Sequence, residues 1–196
     1  MMDSVSQFIE NRLKLKVNRD KSVLDYPTKR KFLGFSFYYH KGMARIRVHA
    51  KPLKRLKARL KELTGRSIGN SMEARVAKLN QTIQGWVNYY RPADMSKHCQ
   101  TTDEWLRRRL RMCYWKQWKK IGTRLDNLVR LGISESKAWE FANTRKGYWH
   151  IANSPILACS ITNIHLRKLG LSGLSEVYSK SLSLRTAVCR TARPVV

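Results

Sequence analysis

The chain has 196 residues, with 40 Lys and Arg against 13 Asp and Glu, for a formal net charge of +27. A hydrophobic content of 42%, with six Trp and eight Tyr, excludes a disordered basic tail and calls for one compact domain or two small ones. The charge asks for a polyanionic partner, nucleic acid before an anionic membrane, because each neutralised phosphate releases counterions.

In chain order, residues 4–14 read as a helix, with Val5, Phe8, Ile9 and Leu13 at helical spacing. LKLKV (13–17) changes to period two and predicts a short strand with its lysines outward. After a polar link containing Pro27, KFLGFSFYY reads as a strand with Leu33, Phe35, Phe37 and Tyr39 on one face. HKG (40–42) turns, and MARIRVH returns with Ile46 and Val48 inward and Arg45, Arg47 and His49 outward.

From about residue 50 the pattern is helical. Pro52 suits a first turn, Leu53, Leu56, Leu60 and Leu63 form a stripe, and Gly65 can end it. Asn70 with Glu73 is a plausible cap for a helix carrying Met72, Val76, Leu79, Ile83, Trp86 and Tyr90, stopped by Pro92. Thr101 with Glu104 reads as a capping box opening the next helix. Shorter helices are expected at about 123–131 and 134–142. Ser154-Pro155 starts a last one, with Leu157, Ile161 and Ile164, ending before Gly170. Beyond about residue 178 the composition predicts a frayed basic tail. The fold class is therefore mainly α: a multi-helix domain over 51–178, preceded by a small α+β piece with a β-hairpin over 1–50 and followed by the tail, 179–196.

The positive charge is clustered. From Tyr26 to Lys61 there are twelve Lys and Arg and no acid, and from Trp105 to Leu125 eight and none. A solvated helix face usually mixes signs, so these stretches look outward to a partner. On a helical wheel Leu106, Leu110, Cys113, Tyr114, Trp118 and Ile121 share one arc, the expected core face. Arg107, Arg108, Arg111, Lys116, Lys119 and Lys120 lie at its edges or opposite. Trp105, Met112 and Trp115 fall among these cations, where the tryptophans either stack on unpaired bases or pack against a neighbouring helix. NTRKGYWHIANSP (143–155) gathers Arg145, Lys146, Tyr148 and Trp149 around Gly147, which suggests a tight loop with exposed amides, phosphate-holding cations and stacking rings. A structural loop plugged by Trp149 is the alternative. Lys54 and Lys57 complete the expected RNA-binding set.

Nothing in the residues favours catalysis. Asp103-Glu104 is the only adjacent acidic pair, and it suits the first turn of a helix. The five histidines show no ligand spacing, and Cys99, Cys113, Cys159 and Cys189 form no CxxC pair, so neither a metal nor any other cofactor is expected. Separate thiols in a reducing compartment are the reading. No apolar run approaches the ~18 residues of a membrane span, and the start does not read as a signal peptide. Residence in the cytoplasm, without membrane attachment, is expected.

One resemblance is specific. KFLGFSFYYHKG with RIRV, LNQTIQGWVNYYRPADM, DEWLRRRLRMCYWKQWKK, LGISESKAWEFANTRKGYWHIANSPIL and LRKLGL together resemble the carboxy-terminal part of a bacterial group II intron-encoded reverse transcriptase/maturase, over roughly residues 2–178. The resemblance implies a palm remnant with a primer-grip-like block at Phe32, Leu33, Gly34 and Phe35. It also implies a thumb, or maturase domain, that binds structured intron RNA and assists its splicing, in which the chemistry belongs to the RNA. The family's YxDD polymerase motif lies upstream of these blocks, and no Asp-Asp pair occurs in this sequence. Without those carboxylates no polymerase activity is expected of this chain by itself. The alternatives are the carboxy-terminal half of a split reverse transcriptase, with a separate fingers/palm chain as partner, and an inert relic of a broken intron gene.

Overall fold

The computed structural model describes residues 2–23 and 25–191, with residues 184–191 through their backbone alone. Its first helix, α1, spans Met2–Arg12. The strand expected at 13–17 is absent. Lys14 instead takes a left-handed φ of 54°, and the Leu13 and Leu15 amides both return to the Ile9 carbonyl at 3.2 and 3.3 Å. The alternating LKLKV pattern is thus spent on closing a helix, because among the described residues no neighbouring strand offers it a ladder.

Three short strands follow a 3-10 turn at Pro27–Lys29. They are β1 (Lys31–Phe32), β2 (Phe35–His40) and β3 (Met43–Val48), antiparallel in the order β1-β2-β3. The single strand expected over KFLGFSFYY is therefore split at Leu33-Gly34. Both residues have positive φ, 48° and 87°, as do Lys41 and Gly42, at 51° and 76°. Each pair is the two-residue loop that matches strand twist. Gly34 is also required by packing: a Cβ there would lie 2.5 Å from the Tyr90 Oη. Phe35 pairs with Val48 at the base of the hairpin, and that base joins the core. Ile46, expected inward, is exposed, as are Tyr39 and Met43 nearer the turn. The sheet is covered only where it meets the helices.

The helices are α2 (Ala50–Leu63), α3 (Met72–Tyr90), α4 (Ser96–Gln117), α5 (Ile121–Arg130), α6 (Glu135–Ala142), α7 (Tyr148–Ile151), α8 (Pro155–Ser160), α9 (Asn163–Lys168) and α10 (Leu174–Thr191). The leucine stripe of α2 and the stripe of α3 face the core as expected, with Leu56, Leu60, Met72, Val76, Leu79 and Ile83 buried. Ser71 rather than Asn70 caps α3, its hydroxyl accepting from the Ala74 amide at 3.2 Å.

Four other expectations are corrected. First, α4 begins before Thr101, whose hydroxyl bonds the Lys97 carbonyl at 3.1 Å within the helix. Second, Asp103 is buried and caps α10, with carboxylate oxygens 2.7 Å from the Leu174 amide and 2.9 Å from the Ser175 amide. Third, the last predicted helix is two. Ile161 breaks it at φ −97° and ψ 73°, and Thr162 opens α9 by accepting from the His165 amide at 3.1 Å. Ile164 is accordingly exposed. Fourth, residues 179–191 of the expected tail continue α10, whose Leu174, Val177 and Tyr178 are buried. Residues 192–196 lie outside the described residues.

α4 is the axis of the core. Leu106, Leu110, Cys113 and Trp118 are buried, as the wheel indicates, but Met112 and Trp115 are buried as well. A wheel assumes one solvated face, whereas α4 has neighbours on several sides: α2, α7 and α10 pack on it. Ile121 leaves the core because α4 ends at Gln117 and the helical phase is lost at Trp118, φ −79° and ψ 69°.

Candidate nucleic-acid interface

The shortage of acids shapes how the arginines are used. Among the described residues no ion pair involves positions 105–121; the four present are Arg30–Asp25, Arg45–Asp94, Arg59–Glu62 and Lys180–Glu176. Arginines turn to backbone carbonyls at helix ends, which carry partial negative charge. Buried Arg75 donates to the carbonyls of Leu63, Gly65 and Ile68 at 2.8, 3.0 and 3.1 Å. Arg109 donates to the Lys61 and Thr64 carbonyls at 3.1 and 3.0 Å and to the Thr64 hydroxyl. Together they close the carboxy-terminal end of α2. Arg124 does the same for Trp118 and Ala142, at 2.9 and 3.3 Å.

This sorts the cations of the 105–121 stretch. Arg111 is half-buried with its Nε 3.1 Å from the Ile161 carbonyl, and burial lowers its pKa. Arg108 donates to the Trp149 carbonyl at 3.3 and 2.9 Å, and its guanidinium sits 3.9 Å from the centre of the Trp149 indole. Both arginines are therefore fold-building before they are anything else. Arg107, one turn before Arg111 on α4, lines a depression shared with Asp103, Glu104 and Glu176. Lys119 and Lys120 are exposed in the link after α4, and Arg145 and Lys146 in the link before α7.

Among the rings, Trp115 is corrected outright: it is 2% exposed. It lies 6.1 Å from Trp118 with the Arg124 guanidinium 4.7 Å from its centre, so no base can reach its face. Trp118 is buried as expected. Residues 148–151 form a turn of helix, not a loop with free amides; the His150 and Ile151 amides both bond the Gly147 carbonyl, at 2.9 and 3.1 Å. The outcome for its rings lies between the two alternatives. Tyr148 is half-buried between Arg66 and Lys116, whose cationic groups lie 5.4 and 5.2 Å from its centre. Trp149 remains 38% exposed.

α7 thereby brings the two predicted clusters together. Trp149 joins Lys54, Lys57 and Lys61 of α2 and Trp105 and Arg109 of α4 around one open cavity of about 390 Å³. The Lys57 ammonium and Arg109 guanidinium lie 5.2 and 5.3 Å from the Trp105 ring centre. A second cavity beside it places Lys146 with Arg108 and His150. Lys61, Arg66 and Arg109 were not in the expected RNA-binding set. The spacing of Lys54, Lys57 and Lys61 already puts the three on one helix face, but their position opposite Trp105 and Trp149 has no local signal.

The primer-grip-like block sits on the first two-residue turn. Phe32 and Leu33 are exposed, while Gly34 and Phe35 rest on α3. Phe35 stacks 5.8 Å from Tyr89 and 5.2 Å from Tyr90, and the Tyr89 hydroxyl donates to the Leu33 carbonyl at 3.0 Å. A second tie is Asp94, which accepts from the Tyr38 hydroxyl at 2.7 Å and pairs with Arg45 at 3.5 Å. That hydrogen bond to Asp94 raises the Tyr38 pKa.

Among the described residues no group of three or more His, Cys, Asp or Glu could hold a metal ion, and no helix is long and apolar enough to cross a membrane. Cys99, Cys113 and Cys159 are free thiols; the Cys189 side chain lies outside the described set.

Residues 53–132 match the family described as Group II intron, maturase-specific domain. The matched span begins within α2 and runs through α3, α4 and α5. No curated protein matches the chain.

Proposed function

We infer that this chain is an RNA-binding maturase module that binds structured intron RNA and assists its folding and splicing, since residues 53–132 match the group II intron maturase-specific domain. The observation that carries this reading is the coincidence of the matched helices with the basic, aromatic face of α2 and α4, where Lys54, Lys57 and Lys61 meet Trp105. Exposed cations supply the sequence-independent part of the affinity. Lys119, Lys120, Arg145 and Lys146 add exposed positive charge in the links after α4 and before α7, and Arg108 supports the face from beneath Trp149. The transesterification chemistry belongs to the RNA in this reading, and the chain contributes no polymerase activity of its own. It acts in the cytoplasm within a ribonucleoprotein.

The test is competition binding. The purified chain should bind an intron RNA in preference to tRNA and random duplex at physiological salt, and should accelerate splicing of that intron at low magnesium. Loss of all preference over tRNA would leave only electrostatics and defeat the maturase reading.

One observation favours a second reading, the carboxy-terminal half of a split reverse transcriptase. Val5, Phe8, Leu13, Leu15, Phe32 and Leu33 are all half exposed or more, uncovered apolar side chains of the kind that mark a protein interface where they cluster. Co-expression with the adjacent upstream reading frame, followed by primer extension, decides it. A stable co-purified pair without activity would rule it out.

A further inference from the structure

The cavity between α2, α4 and α7 measures about 390 Å³, within the range of about 300–1,000 Å³ typical of small-ligand sites. Two of its walls are indoles. Trp149 has one face covered by the Arg108 guanidinium at 3.9 Å and its own carbonyl held by the same side chain. The ring is therefore fixed before anything binds, and Trp149 keeps 38% of its surface open to solvent. Trp105 is held likewise, because Arg109 lies 5.3 Å from its ring centre while bonding the end of α2. Rings already immobilised lose little side-chain entropy on stacking.

The third wall is Lys54, Lys57 and Lys61 on α2. Their i, i+3, i+7 spacing sets them along one face over about 10 Å. All three are exposed, and none forms an ion pair among the described residues. A row of unpaired ammonium groups beside fixed aromatic rings matches a nucleotide strand, with phosphates outside and a base turned inward. A duplex does not fit that chemistry, since its base faces are already stacked on one another.

We propose that this cavity receives one unstacked nucleobase of an RNA strand, with Trp149 as its stacking platform, Trp105 as the opposing wall, and Lys54, Lys57 and Lys61 on the adjoining phosphates. The proposal rests on the RNA-binding reading above and narrows it: the chain selects RNA with a bulged or looped-out nucleotide.

The test titrates the full chain into an RNA hairpin carrying a single 2-aminopurine bulge and into the same hairpin fully paired. The bulged hairpin should bind about 10-fold more tightly, a typical gain from one base stacked on an aromatic side chain, and its 2-aminopurine fluorescence should fall on binding. Trp149→Ala should abolish the preference and Trp149→Phe should keep most of it. Lys54→Ala, Lys57→Ala and Lys61→Ala together should weaken both hairpins and flatten the salt dependence. Each variant is first melted to confirm its fold. Equal, salt-dependent affinity for the two hairpins overturns the nucleobase site and leaves RNA binding standing. Binding to neither hairpin nor to intron RNA overturns the RNA-binding reading itself. A natively folded Trp149→Ala that keeps the preference also overturns the proposal. If that variant does not fold, the wild-type fluorescence decides, and an unchanged signal on binding overturns the proposal.

Discussion

The Arg108 guanidinium stacks 3.9 Å from the Trp149 indole and donates to the Trp149 backbone carbonyl at 2.9 Å. One side chain on α4 thus fixes both the ring and the backbone of α7. Arg108→Ala removes a charge-assisted hydrogen bond and a cation–π contact, together worth about 2–3 kcal/mol. The midpoint of urea unfolding should fall accordingly. Arg108→Lys should recover only part of the loss, because an ammonium cannot both stack flat and reach the carbonyl.

Asp103 tests a different kind of tie. Its carboxylate satisfies the first amides of α10 from the middle of α4. Asp103→Ala should cost about 1–2 kcal/mol, the usual loss for an N-cap. Hydrogen exchange should show the loss concentrated in α10, and uniform loss of protection would argue against a local cap.

The tryptophans should separate by role. Trp115→Ala and Trp118→Ala each open a cavity in the core and should destabilise by about 3–5 kcal/mol. Trp149→Ala, at a half-open site, should cost much less by the same chemical melt. Comparable losses at all three would place Trp149 in the core.

Exposed cations outside the core give the cleanest charge test. Lys119→Glu, Lys120→Glu and Arg145→Glu combined should leave the melting temperature within about 2 °C, since surface substitutions are usually close to neutral. RNA affinity should fall about 10-fold or more at low salt, with a shallower salt dependence. Unchanged affinity in a natively melting protein moves the RNA face elsewhere.

Cys99 predicts an alkaline limit. Burial, with Asp103 adding its charge, raises the thiol from 9.0 to about 12. A thiol whose folded pKa exceeds its unfolded one holds its proton more tightly in the fold. Its contribution to stability is therefore complete below pH 9 and declines as pH rises toward 12. Cys113, Tyr114 and Tyr178 are raised by burial in the same direction. Stability measured between pH 9 and 11 should fall steadily, and Cys99→Ala should reduce the slope without removing it.

What could be read locally was encoded locally. The HKG turn, the Ser154-Pro155 start of α8, the stop at Pro92 and the stripes of α2 and α3 each depend on residues within a turn or two of one another. Side-chain chemistry at short range is enough to specify them. The blocks that resemble a maturase also needed only order and identity along the chain. Trp115, Ile121 and LKLKV failed for the opposite reason. Periodicity reports one preferred face, but it cannot report that α4 is enclosed on several sides, that its phase ends at Gln117, or that among the described residues no strand lies beside residues 13–17.

The sequence by itself determined a basic, mainly helical domain with a hairpin before it, because composition and spacing act through local propensity and net charge. Only the tertiary structure decided which cations build the fold and which remain open. Arg75, Arg108, Arg109 and Arg111 look no different in sequence from Lys54 or Lys120. Their partners are carbonyls at the ends of other helices, and in a chain with so few acids those carbonyls are the available counter-charge. Folding consumes those arginines, aligns Trp105 and Trp149 across from Lys54, Lys57 and Lys61, and leaves these lysines at one cavity without an ion pair among the described residues.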